Sequence, residues 1–239
     1  MGDEKTNLSL FKVYIMKKNL FLIIIFSFLN NSNAQINDSI REVLIGVEKS
    51  DQDLRKILYV KKIFDSKVDS IGKANKISNE AVKDLLLKKI NKLDSINLLE
   101  IENIIKKYGY PGTNLVGHNE NNIAWSVIQH SNYETRKKYL PLLENAAKNK
   151  QLAFSAYATT LDRILMDENK PQIYGSQVKK VVLKGNNEEK LIFWPIENPK
   201  NINKIRRKAG FYEWKIKKYA KNFNIKYENI TLDQIQLLK

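Results

Sequence analysis

Apolar side chains recur at helical spacing along most of this chain and alternate as in a strand over one stretch only. From Ile36 to Phe64 they fall at Ile40, Val43, Leu44, Val47, Leu54, Ile57, Leu58 and Ile63, opposite a charged side. That period predicts one long helix or two short ones. The polar run Gly72 to Asn79 reads as a connection, and Ala81 to Lys107 resumes the pattern through Leu86, Ile90, Leu93, Ile101, Ile104 and Ile105. This second long helix should stop at Tyr108-Gly109, where Gly accepts a left-handed conformation and Pro111 blocks continuation. Ile123 to His130 predicts a short helix, Tyr133 to Lys150 another that Pro141 kinks or restarts, and Leu152 to Asp167 a third, closed by Asn169-Lys170-Pro171.

The period then changes. Gln172 to Leu183 and Glu189 to Ile196 are rich in Ile, Val, Tyr, Phe and Trp and flank Gly185-Asn186-Asn187, which predicts a hairpin. Asn198-Pro199 suits a helix start, Gly210 a stop, and Phe211 to Phe223 a final helix. The expected fold is mainly α with a small β-hairpin (α+β), a helical domain packed on a two-stranded antiparallel hairpin.

The N-terminal stretch reads as a leader. Met16-Lys17-Lys18, the apolar run Leu20 to Leu29 and Asn33-Ala34 have the three parts of a secretory signal peptide over residues 16–34, so export to the periplasm or outside is expected. Residues 1–15 read as an over-extended start, and residues 35–239 as a single mainly helical domain. The apolar run is about half the ~20 residues of a membrane span, so no transmembrane segment is expected in the mature chain. The chain has no Cys, which removes disulfides, thiolate metal sites, a Cys nucleophile and lipid attachment after the leader.

The formal charge is +15, which raises the question of a nucleic acid or anionic surface as partner. Lys, Asn and Ile abound throughout, as on solvated faces, and no binding signature interleaves aromatic with basic residues. No specific nucleic acid is expected, and an unknown polar or anionic ligand is the partner the charge allows.

Against that background several blocks carry residue types that are hard to replace. They are Asp51-Gln52 with Arg55, Asp94 with Asn97, Tyr108-Gly-Tyr-Pro-Gly112, Val116-Gly117, Ala124-Trp125 with Val127-Ile-Gln-His130, Leu140-Pro-Leu-Leu143, Asp162-Arg163, Pro171-Gln172 with Tyr174-Gly175 and Gln177, and Arg206-Arg207 with Gly210-Phe211. In their order and spacing, from about Ile40 to Tyr219, the chain resembles an uncharacterised bacterial family known as domain of unknown function 6624. Two departures stand out: Ser176 where Thr is expected, and a more polar Gly117 to Asn122. The resemblance implies a shared fold and a shared site but no established reaction, so the chemistry has to come from the residues.

His130 is the prime candidate, because imidazole serves as acid or base near neutral pH; the alternative is a histidine closing a helix end. Asp162-Arg163 follows an apolar helical stretch and reads either as a structural ion pair or as a group that shares the proton of His130. Arg55, Arg163, Arg206 and Arg207 are four of only six arginines in a lysine-rich chain, so these positions call for the planar fork. An anionic ligand is one use of that fork, which makes Arg55, Arg163 and Arg207 candidate substrate-binding residues with Asp51 an outside candidate; buried carboxylates at Asp51, Asp94 or Asp162 are the other use.

On a strand, Gln172 and Tyr174 would share one face and Gln177 the other, unless Gly175 introduces a bulge that lines all three along a pocket. Two His and no Cys give no metal-ligand spacing, and there is no glycine-rich phosphate loop, so neither metal nor cofactor is expected. Two functions remain open. One is an exported hydrolase or transferase with His130 as general acid or base, Asp162 beside it, and Arg163, Gln172, Tyr174 and Gln177 on the substrate. The other is a non-catalytic periplasmic or secreted module, binding or envelope-associated, whose motif residues form a structural polar network.

Overall fold

A computed structural model of the chain describes residues 36–182 and 189–236. The expected leader at 16–34 and the turn Gly185-Asn186-Asn187 lie outside the described residues.

The first apolar stretch forms two helices, α1 (Asp38–Tyr59) and α2 (Lys61–Asn75). Asn37 starts α1 by accepting the Ile40 amide on its side chain at 3.0 Å. Helix α2 runs through the first half of the stretch expected as a connection and closes at Lys76, whose φ of +54° is left-handed. Helix α3 (Asn79–Tyr108) ends as expected at Gly109, with φ +75°. A single turn, α4 (Thr113–Val116), leads to α5 (Ile123–His130), α6 (Tyr133–Lys148) and α7 (Phe154–Asp167). Pro141 neither splits nor restarts α6, which is one continuous helical segment.

Two apolar clusters share α5 as their common wall. Ile40, Leu44 and Val47 of α1 meet Ile101 and Ile104 of α3 against Ile123, Ala124 and Val127 of α5. Ile128 instead joins Leu143, Ala146 and Ala147 of α6 and Ala156 and Tyr157 of α7. Full burial of each Ile, Leu or Val is worth about 1.5–3 kcal/mol, so α5 is fixed from both sides and its polar residues are fixed with it.

The hairpin is shorter than its composition predicts: β1 (Val178–Val182) pairs antiparallel with β2 (Glu189–Phe193), from Val178 opposite Phe193 to Val182 opposite Glu189. Ile192 and Phe193, on opposite faces, are both buried, so both faces are covered. Phe193 packs with Ile202 of α8 (Ile202–Lys208) and Ile216 of α9 (Ile216–Lys221). Ile192 packs with Trp194 and with Ile235 of α10 (Leu232–Gln236). Only Ile216–Lys221 of the expected last helix is helical; Phe211 to Lys215 form an irregular link bent at Tyr212 and Glu213. The architecture is therefore mainly α with a two-stranded antiparallel sheet, and no helix of the described residues is long and apolar enough to cross a membrane.

Candidate functional site

The buried stripe of α1 runs Ile40, Leu44, Val47, and its next member is Asp51, only 2% exposed. The stripe of α3 runs Val82, Leu86, Ile90 and then Asn97, Ile101, Ile104, with Asp94 one turn before Asn97. Polar residues thus replace apolar ones where the two stripes meet α5, and a buried carboxylate needs bonded partners to be tolerated there.

Asp51 has them. Its Oδ1 lies 3.0 Å from His130 Nδ1 and accepts Arg55 Nη1 at 3.0 Å, while Oδ2 accepts Gln52 Nε2 at 2.6 Å. The other arm of Arg55 forks onto both oxygens of Asp94, at 2.8 and 2.7 Å. One guanidinium therefore joins α1 to α3 and leaves one negative charge of the two carboxylates facing the imidazole. Beside it, Ser50 Oγ donates to Asn97 Oδ1 at 2.7 Å. Burial pushes the Asp51 carboxyl upward, but the bond and charge of His130, the charge of Arg55 and the Gln52 bond outweigh it and hold the group below its ordinary value. An ionised Asp51 only accepts, so Nδ1 of His130 carries the proton, and Nε2 presents a lone pair whenever the ring is neutral. The His130 side chain is 27% exposed, and Nε2 has no partner among the described residues.

A cavity of about 260 Å³ opens on the Oδ2 side of Asp51, between α1 and the start of α5. Glu48, Gln52 and Lys56 line it from α1; Asn122, Trp125 and Ser126 line it from the other wall. Small-molecule sites begin at about 300 Å³, so the space suits a small polar group rather than a large ligand. His130 does not line it, and Asp51 is shared by the cavity and the imidazole.

The Gln172 to Gln177 segment is not the strand the sequence suggests. Gln172 makes one isolated parallel bridge to Ile196, and the following residues wrap around Asp162. Its Oδ1 accepts the amides of Ile173 and Tyr174 at 2.8 and 2.9 Å; Oδ2 accepts the Ser176 amide at 2.9 Å and the Ser176 hydroxyl at 2.8 Å. Ser176, where Thr is expected, still supplies the hydroxyl this contact uses. Burial pushes the Asp162 carboxyl up, against the pull of those four donors. Asp162 therefore holds a loop and makes no bond to His130; the partner of the imidazole is Asp51, on another helix.

Gln172 and the amide NH₂ of Gln177 are bonded from within the chain. Gln172 Nε2 donates to the carbonyls of Gln177 and Trp194 at 3.0 and 2.7 Å, and its Oε1 accepts the Gln177 amide at 2.8 Å. Gln177 Nε2 donates to Thr159 O at 3.2 Å and Ser176 Oγ at 2.9 Å. Gly175 lies at φ +64°, and a Cβ there would meet Ile196 Cδ1 at 2.9 Å, so it is a turn residue enclosed by apolar side chains rather than a bulge. The Tyr174 ring is half-buried between Phe154 and Phe211. Arg206 is fully buried, donating to the carbonyls of Tyr174, Gly175 and Glu213 between the rings of Phe211 and Tyr219. Arg207 is exposed and stacks on Trp214 at 3.9 Å.

The structure thus joins His130 to Asp51, Arg55 and Asp94. It places Asp162, Gln172, Tyr174 and Gln177 together in a separate, internally bonded cluster around the Gln172 to Gln177 loop. Arg163 stands on α7 one turn before Asp167, the partner of Arg136, a residue sequence reasoning did not single out.

A family model described as a family of unknown function (DUF6624) matches residues 61–228. The match takes in His130, Asp94 and the whole Asp162 cluster and begins after Asp51, Gln52 and Arg55. Neither a curated protein nor a solved structure is similar enough to match the chain.

Proposed function

The chain belongs to DUF6624, a family of unknown function, and we propose that it is an enzyme of hydrolase or transferase type in which His130 is the general acid or base. The carrying observation is the 3.0 Å contact between His130 Nδ1 and the ionised Asp51, which leaves Nε2 unpartnered on a partly exposed ring. A carboxylate behind Nδ1 selects the tautomer whose other nitrogen can take a proton from water or a substrate hydroxyl and return it to a leaving group. Gln52, Lys56 and Asn122, which line the adjoining cavity, would hold the polar remainder of the substrate. The leader-like residues 16–34 support the further proposal that this chemistry takes place outside the cytoplasm.

The test is turnover by the full chain on a panel of phosphate, ester, glycan and peptide substrates, repeated with His130→Ala. Loss of turnover by about 10²–10⁴-fold with an unchanged fold supports the role. Equal turnover by the variant removes it.

A second reading rests on a different observation. Asp162, Gln172, Gln177 and Arg206 are bonded from within the chain, as expected of a polar network that fixes α7 and the C-terminal helices against the hairpin in a non-catalytic binding or envelope-associated module. That reading accounts for these residues and makes no use of the exposed Nε2 of His130.

A further inference from the structure

The cavity beside Asp51 carries opposite charges that do not meet. Glu48, Gln52 and Lys56 line it from α1 at every fourth position, which puts them on one stripe of that helix. The ion pairs of α1 are those of Arg41 with Asp38 and of Arg55 and His130 with Asp51, Arg55 also reaching Asp94. Glu48 and Lys56 enter none among the described residues. They stand about 12 Å apart along the helix axis, so neither neutralises the other. Between them lies Gln52, whose Nε2 donates to Asp51 Oδ2 at 2.6 Å while its Oε1 has no partner among the described residues.

The opposite wall adds one polar group and an apolar surface. Asn122, the residue before α5, makes no side-chain capping bond, so its amide is not used by the helix it precedes. Trp125 donates its indole N–H to Thr160 Oγ1 at 2.9 Å, which fixes the ring and spends its donor, and with the buried Ile123 it forms the apolar part of the wall. At about 260 Å³ the cavity has room for roughly nine water-sized groups of ~30 Å³ each. That is the size of a free amino acid and too small for a nucleotide or a sugar phosphate.

We propose that this cavity binds a small zwitterion of amino-acid type, its ammonium at Glu48 and Gln52 Oε1 and its carboxylate at Lys56 and Asn122. A carboxylate alone would gain Lys56 and face the like charges of Glu48 and Asp51. An ammonium alone would gain the two carboxylates and face Lys56. A zwitterion is attracted at both ends, and each pairing is stronger in a recess than in open water. This ligand class deepens the enzyme reading above and rests on it in one respect: the zwitterionic group is the part of the substrate held beside Asp51.

The experiment titrates the full chain with L-alanine, β-alanine and γ-aminobutyrate, which space the two charges differently, and with propionate and propylamine, which carry one charge each, reading heat of binding and thermal midpoint. The variants are Glu48→Gln, Lys56→Gln and, as a control outside the cavity, Lys49→Gln; all three side chains are exposed, so the replacements keep the fold. The expected result is saturable binding of at least one zwitterion, about tenfold or more tighter than either single-charge probe. That binding weakens about tenfold or more in Glu48→Gln and in Lys56→Gln and is unchanged in Lys49→Gln. The proposal fails if none of the three zwitterions binds saturably, if propionate or propylamine binds as tightly, or if either cavity variant binds as the wild type does. Saturable zwitterion binding without turnover that depends on His130 would remove the enzyme role and leave this site. Turnover lost in His130→Ala with no zwitterion bound would remove this site and leave the enzyme role.

Discussion

His130 and Asp51 are 79 positions apart in the chain, and the packing of α5 against α1 brings Nδ1 of one within 3.0 Å of Oδ1 of the other. The two residues differ in what else they hold. His130 makes only this contact through its ring, whereas Asp51 also anchors Arg55 and Gln52. Removing each should therefore give a different signature. His130→Ala is expected to abolish turnover at a smaller cost in urea midpoint, because Asp51 keeps Arg55 and Gln52. Asp51→Asn is expected to lower turnover and also to cost about 1–3 kcal/mol, because Arg55 loses a charged acceptor in a buried place. Parallel denaturation and activity curves check this; equal stability losses in both variants would refute the division of roles.

Acid should expose the same pair. The folded-state pKa of Asp51 is held below its unfolded value near 3.8, despite the upward push of burial. A group depressed in this way contributes stability that is present above the unfolded value and is lost as pH falls through the folded one. The stability gap between the wild type and Asp51→Asn should thus be fully present at about pH 5 and close as pH falls below about 3.8. A gap that widens on acidification would contradict the depressed carboxyl.

Much of this was legible in the sequence, and the reasons for the rest are physical. The long helices follow from apolar spacing, and the stop at Gly109 follows from a conformation glycine tolerates. His130 stands out by chemistry alone. Its partner does not, because which helix lies opposite α5 is decided by packing. A signal existed all the same: Asp51, Asp94 and Asn97 fall on or beside the apolar stripes of their own helices, where a polar residue needs a buried partner. The strand expected at Gln172 failed for a different reason. Ile173 and Tyr174 have strand propensity, but Asp162 captures their amides and Gly175 turns the chain, so a tertiary carboxylate overrides local preference.

Arg55 tests the fork directly. Its two arms bridge Asp51 on α1 to both oxygens of Asp94 on α3. Lys at this position keeps the charge and can reach one carboxylate at a time. Arg55→Lys should cost about 1.5–3 kcal/mol, the worth of one or two hydrogen bonds to charged groups, measured by urea unfolding. A variant as stable as the wild type would show that α1 and α3 are held by apolar contacts alone.

Asp162 should behave as scaffold. Four donors converge on its carboxylate: three backbone amides and the Ser176 hydroxyl, all between 2.8 and 2.9 Å. Asn at this position would keep one acceptor oxygen for Ile173 and Tyr174 but point an NH₂ at the Ser176 amide, and two donors facing each other cannot bond. The hydroxyl of Ser176 can rotate to accept, so a single buried amide is left unpaired, which costs about 1–3 kcal/mol. The loop carries Gln172 and Gln177, whose bonds reach Trp194 and Thr159, so loosening it should also raise hydrogen exchange in β1 and the end of β2. Asp162→Asn is therefore expected to lower the urea midpoint and the protection of those amides, while turnover per folded molecule stays at the wild-type level. Turnover lost at full stability would instead move Asp162 out of the scaffold and into the chemistry.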